Sequence, residues 1–122
     1  MKKYNILIVD DIFTNRFLLK EALSEICNSI YEAVNGKQAI EIFEKEKIDI
    51  ILMDIEMPIM NGLETTKYIR ENYPNDNTPI FALTAHNPLD FFDNYKDIGF
   101  DSLIIKPYSI DKIINSINSI SN

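Results

Sequence analysis

One cysteine, Cys27, is all the thiol in this 122-residue chain. That excludes an internal disulfide and fits a reducing, cytoplasmic compartment. Its neighbours Glu25 and Ile26 fall in a helical pattern, so a packed thiol is expected rather than a reactive one. Basic residues are scarce: 12 Lys and Arg stand against 19 Asp and Glu, a formal net charge of −7. They do not cluster, which argues against a DNA-binding or anionic-membrane surface. No apolar run approaches membrane-spanning length. The apolar run behind Met1-Lys2-Lys3 is only strand-length, ends in Asp10-Asp11 and lacks a small-residue cleavage site, so it is not a signal peptide. No segment repeats and none is of low complexity. What remains is expected to be one globular domain over residues 1–122, with 46% hydrophobic residues to fill a core.

The stretch Ile48-Asp49-Ile50-Ile51-Leu52-Met53-Asp54-Ile55-Glu56-Met57-Pro58 organises the chain. A short, almost wholly apolar run reads as a strand buried on both faces, and it stops at a carboxylate. Asn5 to Val9 is a second such run and ends in Asp10-Asp11. Pro79 to Thr84 is a third, ending in a hydroxyl, and Leu103 to Ile105 a fourth, ending at Lys106-Pro107. Ile30 to Val34 is a further strand, closed by the turn signal Asn35-Gly36. Helical spacing lies between them. It runs from Phe13 to Cys27 through Phe13, Phe17, Leu18, Ala22, Leu23, Ile26 and Cys27. It recurs from Lys37 to Lys45 with Ala39, Ile40 and Phe43 inward, from Leu63 to Tyr73, and from Pro88 to Ile98, where Gly99 stops it. Ser109 is the expected N-cap of a closing helix striped by Ile110, Ile113, Ile114, Ile117 and Ile120. Five strand–helix units in strict alternation give an α/β fold: a five-stranded parallel sheet with helices on both faces.

In a parallel sheet, Asp10, Asp11, Asp54, Thr84 and Lys106 meet at the carboxyl edge, where open α/β sheets place their ligand crevices. Three carboxylates in one crevice repel unless one is protonated or a cation neutralises them. Oxygen ligands and waters suit Mg²⁺. No acid-alternating Ca²⁺-loop spacing occurs. A carboxylate beside a metal, a lysine and a hydroxyl can attack phosphorus. Asp54, alone at the end of the central strand, is the expected nucleophile, and the paired Asp10 and Asp11 are better placed as metal holders. The bland alternative, with each polar residue capping its own strand, needs four strand ends to be complementary by chance.

Together Leu7-Ile8-Val9-Asp10-Asp11, Met53-Asp54-Ile55-Glu56-Met57-Pro58, Asn61-Gly62, Leu83-Thr84-Ala85 and Lys106-Pro107 resemble the receiver domain of two-component response regulators. The resemblance covers essentially the whole chain. Asn15-Arg16 and the Thr78–His86 stretch are most similar to receivers of hybrid kinases and phosphorelays. It implies a flavodoxin-like (βα)5 fold of strand order 2-1-3-4-5 and a cis peptide before Pro107. Asp54 would be the phosphoacceptor. Mg²⁺ would bind Asp11, Asp54 and the backbone carbonyl of Glu56, with Asp10 assisting through water. Thr84 and Lys106 would hold the phosphoryl oxygens. The implied donor is a sensor histidine kinase or a histidine phosphotransfer protein, and the implied output is a conformational change or onward transfer to a downstream protein. A start at Met1 and the lack of an output domain lead to the expectation of a free-standing receiver, not an enzyme beyond its own phosphorylation and slow dephosphorylation.

Two positions depart from the family pattern. Leu103 stands where receivers usually carry a Tyr or Phe that reports movement of the threonine, and Ile12 replaces a residue that is often polar. His86 reads as a solvated loop residue; its other reading, with Glu56, is to flank the phosphoryl group and set water access. Phe91 and Phe92 are either core edge or a partner-docking patch. The rival class is a receiver-like module that binds a partner without phosphorylation, and Leu103 is the feature in its favour. A haloacid-dehalogenase-like phosphatase would want an Asp where Glu56 stands. An FMN binder would want Ser, Thr and Gly, not Asp10-Asp11, in its phosphate loop.

Overall fold

The structure, a computed structural model, describes residues 3–85, 95–107 and 109–121, side chains at 120 and 121 excepted. The elements in order are β1 (Tyr4–Val9), α1 (Phe13–Ala22), β2 (Cys27–Ala33), α2 (Gly36–Lys45), β3 (Ile50–Asp54), α3 (Gly62–Asn72) and β4 (Ile80–Thr84). Residues 95–98 are helical and are called α4; β5 (Ser102–Ile105) and α5 (Ile110–Ser121) follow. Every neighbouring pair of strands is parallel, in the order β2-β1-β3-β4-β5. Fold class and strand order are those expected.

The alternation of side chains along each strand feeds two separate cores. Ile6, Ile8, Leu52, Phe81 and Leu83 pack on one face under Leu19 and Leu23 from the first helical unit and Ile113 and Ile117 of α5. Leu7, Val9, Ile51, Met53, Ile80 and Ala82 pack on the other face with Ala39 of α2 and Ile69 of α3. Every residue of β3 and β4 is buried, which is why their sequences are continuous apolar runs. Each large side chain so buried contributes roughly 1.5–3 kcal/mol. Among the described residues no helix is long and apolar enough to cross a membrane.

The first helix differs from its expectation in length and in phase. It ends at Ala22 instead of running to Cys27, and β2 opens at Cys27, three residues before the expected Ile30. The reason is pairing with β1: the Tyr4 amide donates to the Ile26 carbonyl, and Cys27 sits opposite Tyr4. An apolar pair such as Ile26-Cys27 fits the end of a helical stripe or the start of a strand, and the free edge of β1 decides. Cys27 is therefore a partly exposed strand residue. Within α1 the inward positions are Arg16 and Leu19, whereas Phe13, Phe17 and Leu18 face solvent. In α5 the cap is as expected, the Lys112 amide donating to Ser109 Oγ at 3.1 Å, but Ile110 is exposed.

The amino edge of β4 and β5 is braced by Arg70 near the end of α3. Its guanidinium donates to the carbonyls of Gly99, Asp76 and Thr78 and to the Asp101 carboxylate. Gly99 has φ +121°, and a Cβ there would lie 2.5 Å from Arg70 Cγ, so the close approach requires glycine.

Candidate phosphoryl and cation site

Two strands deliver three acids to one point. β1 runs straight into Asp10 and Asp11, and β3 ends at Asp54, whose Cα lies opposite Leu83 of β4. Carboxylate oxygens of Asp10, Asp11 and Asp54 all lie within 4.8 Å of one another. Asp10 is fully buried and Asp54 nearly so, while Asp11 is open to solvent. Thr84, also buried, closes β4, and its carbonyl accepts the Lys106 amide at 2.7 Å. That bond continues the β4–β5 ladder and keeps Lys106 alongside β4, with its Nζ 3.1 Å from Asp54 Oδ1 and 4.0 Å from Asp10 Oδ2. The Lys106–Pro107 peptide is cis, as the resemblance implied.

The loop after β3 is held tightly enough to keep Asp54 aimed. The Ile55 amide donates to the Leu83 carbonyl and the Gly62 amide to the Ile55 carbonyl. A Cβ at Gly62 would sit 2.4 Å from the Asp54 carbonyl oxygen, so glycine at 62 is a steric need. Asn61 and Glu64 form a reciprocal capping box that fixes the start of α3. Just ahead of that box Ile59 adopts φ 69°, left-handed for a β-branched residue, in a three-residue turn where the Met60 amide donates to the Pro58 carbonyl.

The electrostatics are unbalanced without a cation. Burial pushes the Asp54 carboxyl up to about 6, with the Asp10 charge adding to it, against the pull of Lys106 and a hydrogen bond from the Glu56 backbone. Asp10 Oδ1 accepts the Ile12 amide at 2.9 Å, but its buried Oδ2 has no hydrogen-bond partner among the described residues. An orphaned buried carboxylate oxygen, two further acids within reach and an opening at Asp11 fit a hard cation such as Mg²⁺.

The structure thus brings together Asp10, Asp11, Asp54, Thr84 and Lys106. Glu56 is exposed beside them. Leu103 lies opposite Ala82, two register positions back from the Thr84–Ile105 pair at the strand ends, half-buried on the second core, which Tyr95 and Ile98 also pack against. His86, Phe91 and Phe92 lie outside the described residues. Sequence reasoning assigned no role to Arg16 or Glu32. Arg16 is about nine-tenths buried, its Nη1 2.8 Å from the Asp10 carbonyl oxygen and its Nε 3.0 Å from Glu32 Oε1. Burial raises the Glu32 carboxyl, yet hydrogen bonds from Lys20 and Arg16 outweigh it and leave the group below its ordinary range.

Known proteins resemble this chain in sequence and in fold. The family described as the response regulator receiver domain matches residues 6–118. Sporulation initiation phosphotransferase F of Bacillus subtilis is 34% identical over 117 residues, covering 96% of this chain and 93% of that protein. The aerobic respiration control sensor protein ArcB of Escherichia coli K12 is 36% identical over 107 residues, 87% of this chain. The chain spans only 14% of the length of ArcB. Among solved structures, the receiver domain of the Francisella response regulator 1452 superposes with a TM-score of 0.87 at 28% identity, covering 97% of this chain and 96% of that one. The chemotaxis response regulator CheY4 of Vibrio cholerae shares the fold at a TM-score of 0.87 and 24% identity, covering 98% and 99%. With the family matched over nearly its whole length and the acids, threonine and lysine gathered at one sheet edge, this chain belongs to the response regulator receiver domain family.

Proposed function

We propose that the protein accepts a phosphoryl group on Asp54 from a phosphohistidine and passes the signal on by conformational change or onward transfer. The observation that carries this reading is the buried Asp54 carboxylate with Lys106 Nζ at 3.1 Å and two further acids alongside. An Asp54 oxygen attacks phosphorus in line; the new O–P bond forms as the P–N bond of the donor histidine breaks, and the electron pair leaves on the imidazole nitrogen, which takes up a proton. Lys106 and the Thr84 hydroxyl hold the transferred oxygens. Asp11, Asp54 and the Glu56 backbone carbonyl would hold Mg²⁺ directly and Asp10 through water. When bound, Mg²⁺ would neutralise the carboxylates and draw charge from the phosphoryl oxygens. The only reactions in this reading are the protein's own phosphorylation and slow dephosphorylation.

The donor is a sensor histidine kinase or a histidine phosphotransfer protein, and the compartment is the cytoplasm. A donor must cover the carboxyl edge of the sheet to deliver its phosphoryl group. Along that edge Ile12 and Phe13 follow β1, Ile59 follows β3 and Ile110 opens α5, each half or more exposed. Phe17 and Leu18 extend that exposed apolar surface along α1. Such side chains favour protein contact over water.

Incubation with acetyl phosphate, with and without Mg²⁺, followed by intact mass, tests the reading. One phosphoryl group should be gained, only with Mg²⁺ and not by Asp54→Ala. No gain by the folded protein in Mg²⁺ would favour a phosphorylation-independent binding module, the reading that Leu103 supports.

A further inference from the structure

We infer that Arg16 is a positioning residue for the cation and phosphoryl site, fixing the Asp10–Asp11 peptide against Glu32 of the edge strand; this rests on the reading of the site given above. Asp10 is held at each backbone polar atom. Its amide donates to the Ala33 carbonyl at 3.0 Å and its carbonyl accepts Arg16 Nη1 at 2.8 Å. The second bond defines the plane of the peptide that leads into Asp11. Among the described residues nothing hydrogen-bonds the Asp11 carboxylate, so its reach toward Asp54 depends on that plane. Arg16 is itself held from two sides. Glu32 Oε1 accepts its Nε at 3.0 Å, and the Phe13 ring covers its Cζ at 5.7 Å. Lys20 occupies the other Glu32 oxygen at 3.1 Å, so Glu32 has a cationic partner even without Arg16. A fork that joins a carbonyl to a carboxylate needs guanidinium geometry, which a lysine cannot reproduce.

Charge and position predict opposite outcomes. Removing a cation near three acids should, by Coulomb's law alone, tighten Mg²⁺ binding. Releasing the Asp10–Asp11 peptide should weaken it, as loss of a residue that orients metal ligands does, by about tenfold or more. Mg²⁺ titration by calorimetry on Arg16→Met and Arg16→Lys, each checked as folded by circular dichroism, separates the two. Arg16→Met should bind about tenfold more weakly than the natural protein, Arg16→Lys should fall between them, and Thr14→Ala on the exposed side of α1 should bind normally. If Arg16→Met does not fold, Glu32→Gln takes its place, with a several-fold loss expected because Arg16 then lacks its charged anchor. Unchanged or tighter binding in folded Arg16→Met, or in Glu32→Gln where that variant is used, overturns the inference and leaves the site intact. Failure of the natural protein to bind Mg²⁺ overturns the reading of the site along with it.

Discussion

The Asp54 side chain links protonation to folding. Its folded value of about 6 lies above its ordinary 3.8, so between those values the folded protein keeps a proton that the unfolded chain has lost. Stability in EDTA should therefore be lowest above about pH 6, rise as pH falls through that value, and stop rising near 3.8 as far as Asp54 is concerned. Asp54→Asn should stabilise the metal-free protein at neutral pH by on the order of 2 kcal/mol and remove that segment of the pH dependence, as thermal unfolding against pH would reveal. An Asn variant with the same profile as the natural protein would exclude a raised Asp54 value. Strain sits at another single position, Ile59, with φ 69°. Asn tolerates that conformation, so Ile59→Asn should raise the urea midpoint by about 1 kcal/mol in stability without changing the denaturant slope.

For the helices, end chemistry and phase were unequally readable. The Asn61 side chain accepts the Glu64 amide at 2.9 Å and the Glu64 carboxylate accepts the Asn61 amide at 3.1 Å. Asn61→Ala should cost about 1 kcal/mol in denaturant unfolding. Such a loss with normal phosphoryl gain would place the box in the scaffold; a parallel loss of both would tie it to the Asp54 loop. The strands were legible because β3 and β4 are buried on both faces and admit no polar residue until their ends. That same contrast exposed Asp54 and Thr84. The phase of α1 was not legible, because Phe13, Phe17 and Leu18 are apolar without being inward, while the inward Arg16 is polar. Its burial depends on Glu32, sixteen residues away on an edge strand, and periodicity within one helix carries no trace of that partner.

For the molecule as a whole, reactivity toward a small phosphodonor and toward a protein donor should come apart. Phe17 lies on the solvent side of α1, half exposed and stacked on Phe13 at 6.4 Å between ring centroids. Phe17→Ala should keep its rate with acetyl phosphate but lose about tenfold in rate from a phosphohistidine protein, the size of effect expected for an aromatic contact in an interface. Equal losses with both donors would move α1 out of the docking surface. The Arg70 brace gives this division a wider meaning. It ties α3, the approach to β4 and the approach to β5 at the sheet edge away from the acids. Changes that retune partner choice fall on one rim, while the tie that holds neighbouring segments together lies on the other. A lineage can therefore exchange signalling partners through substitutions on the reactive rim without loosening that tie, and new specificity need not be preceded by a stabilising change.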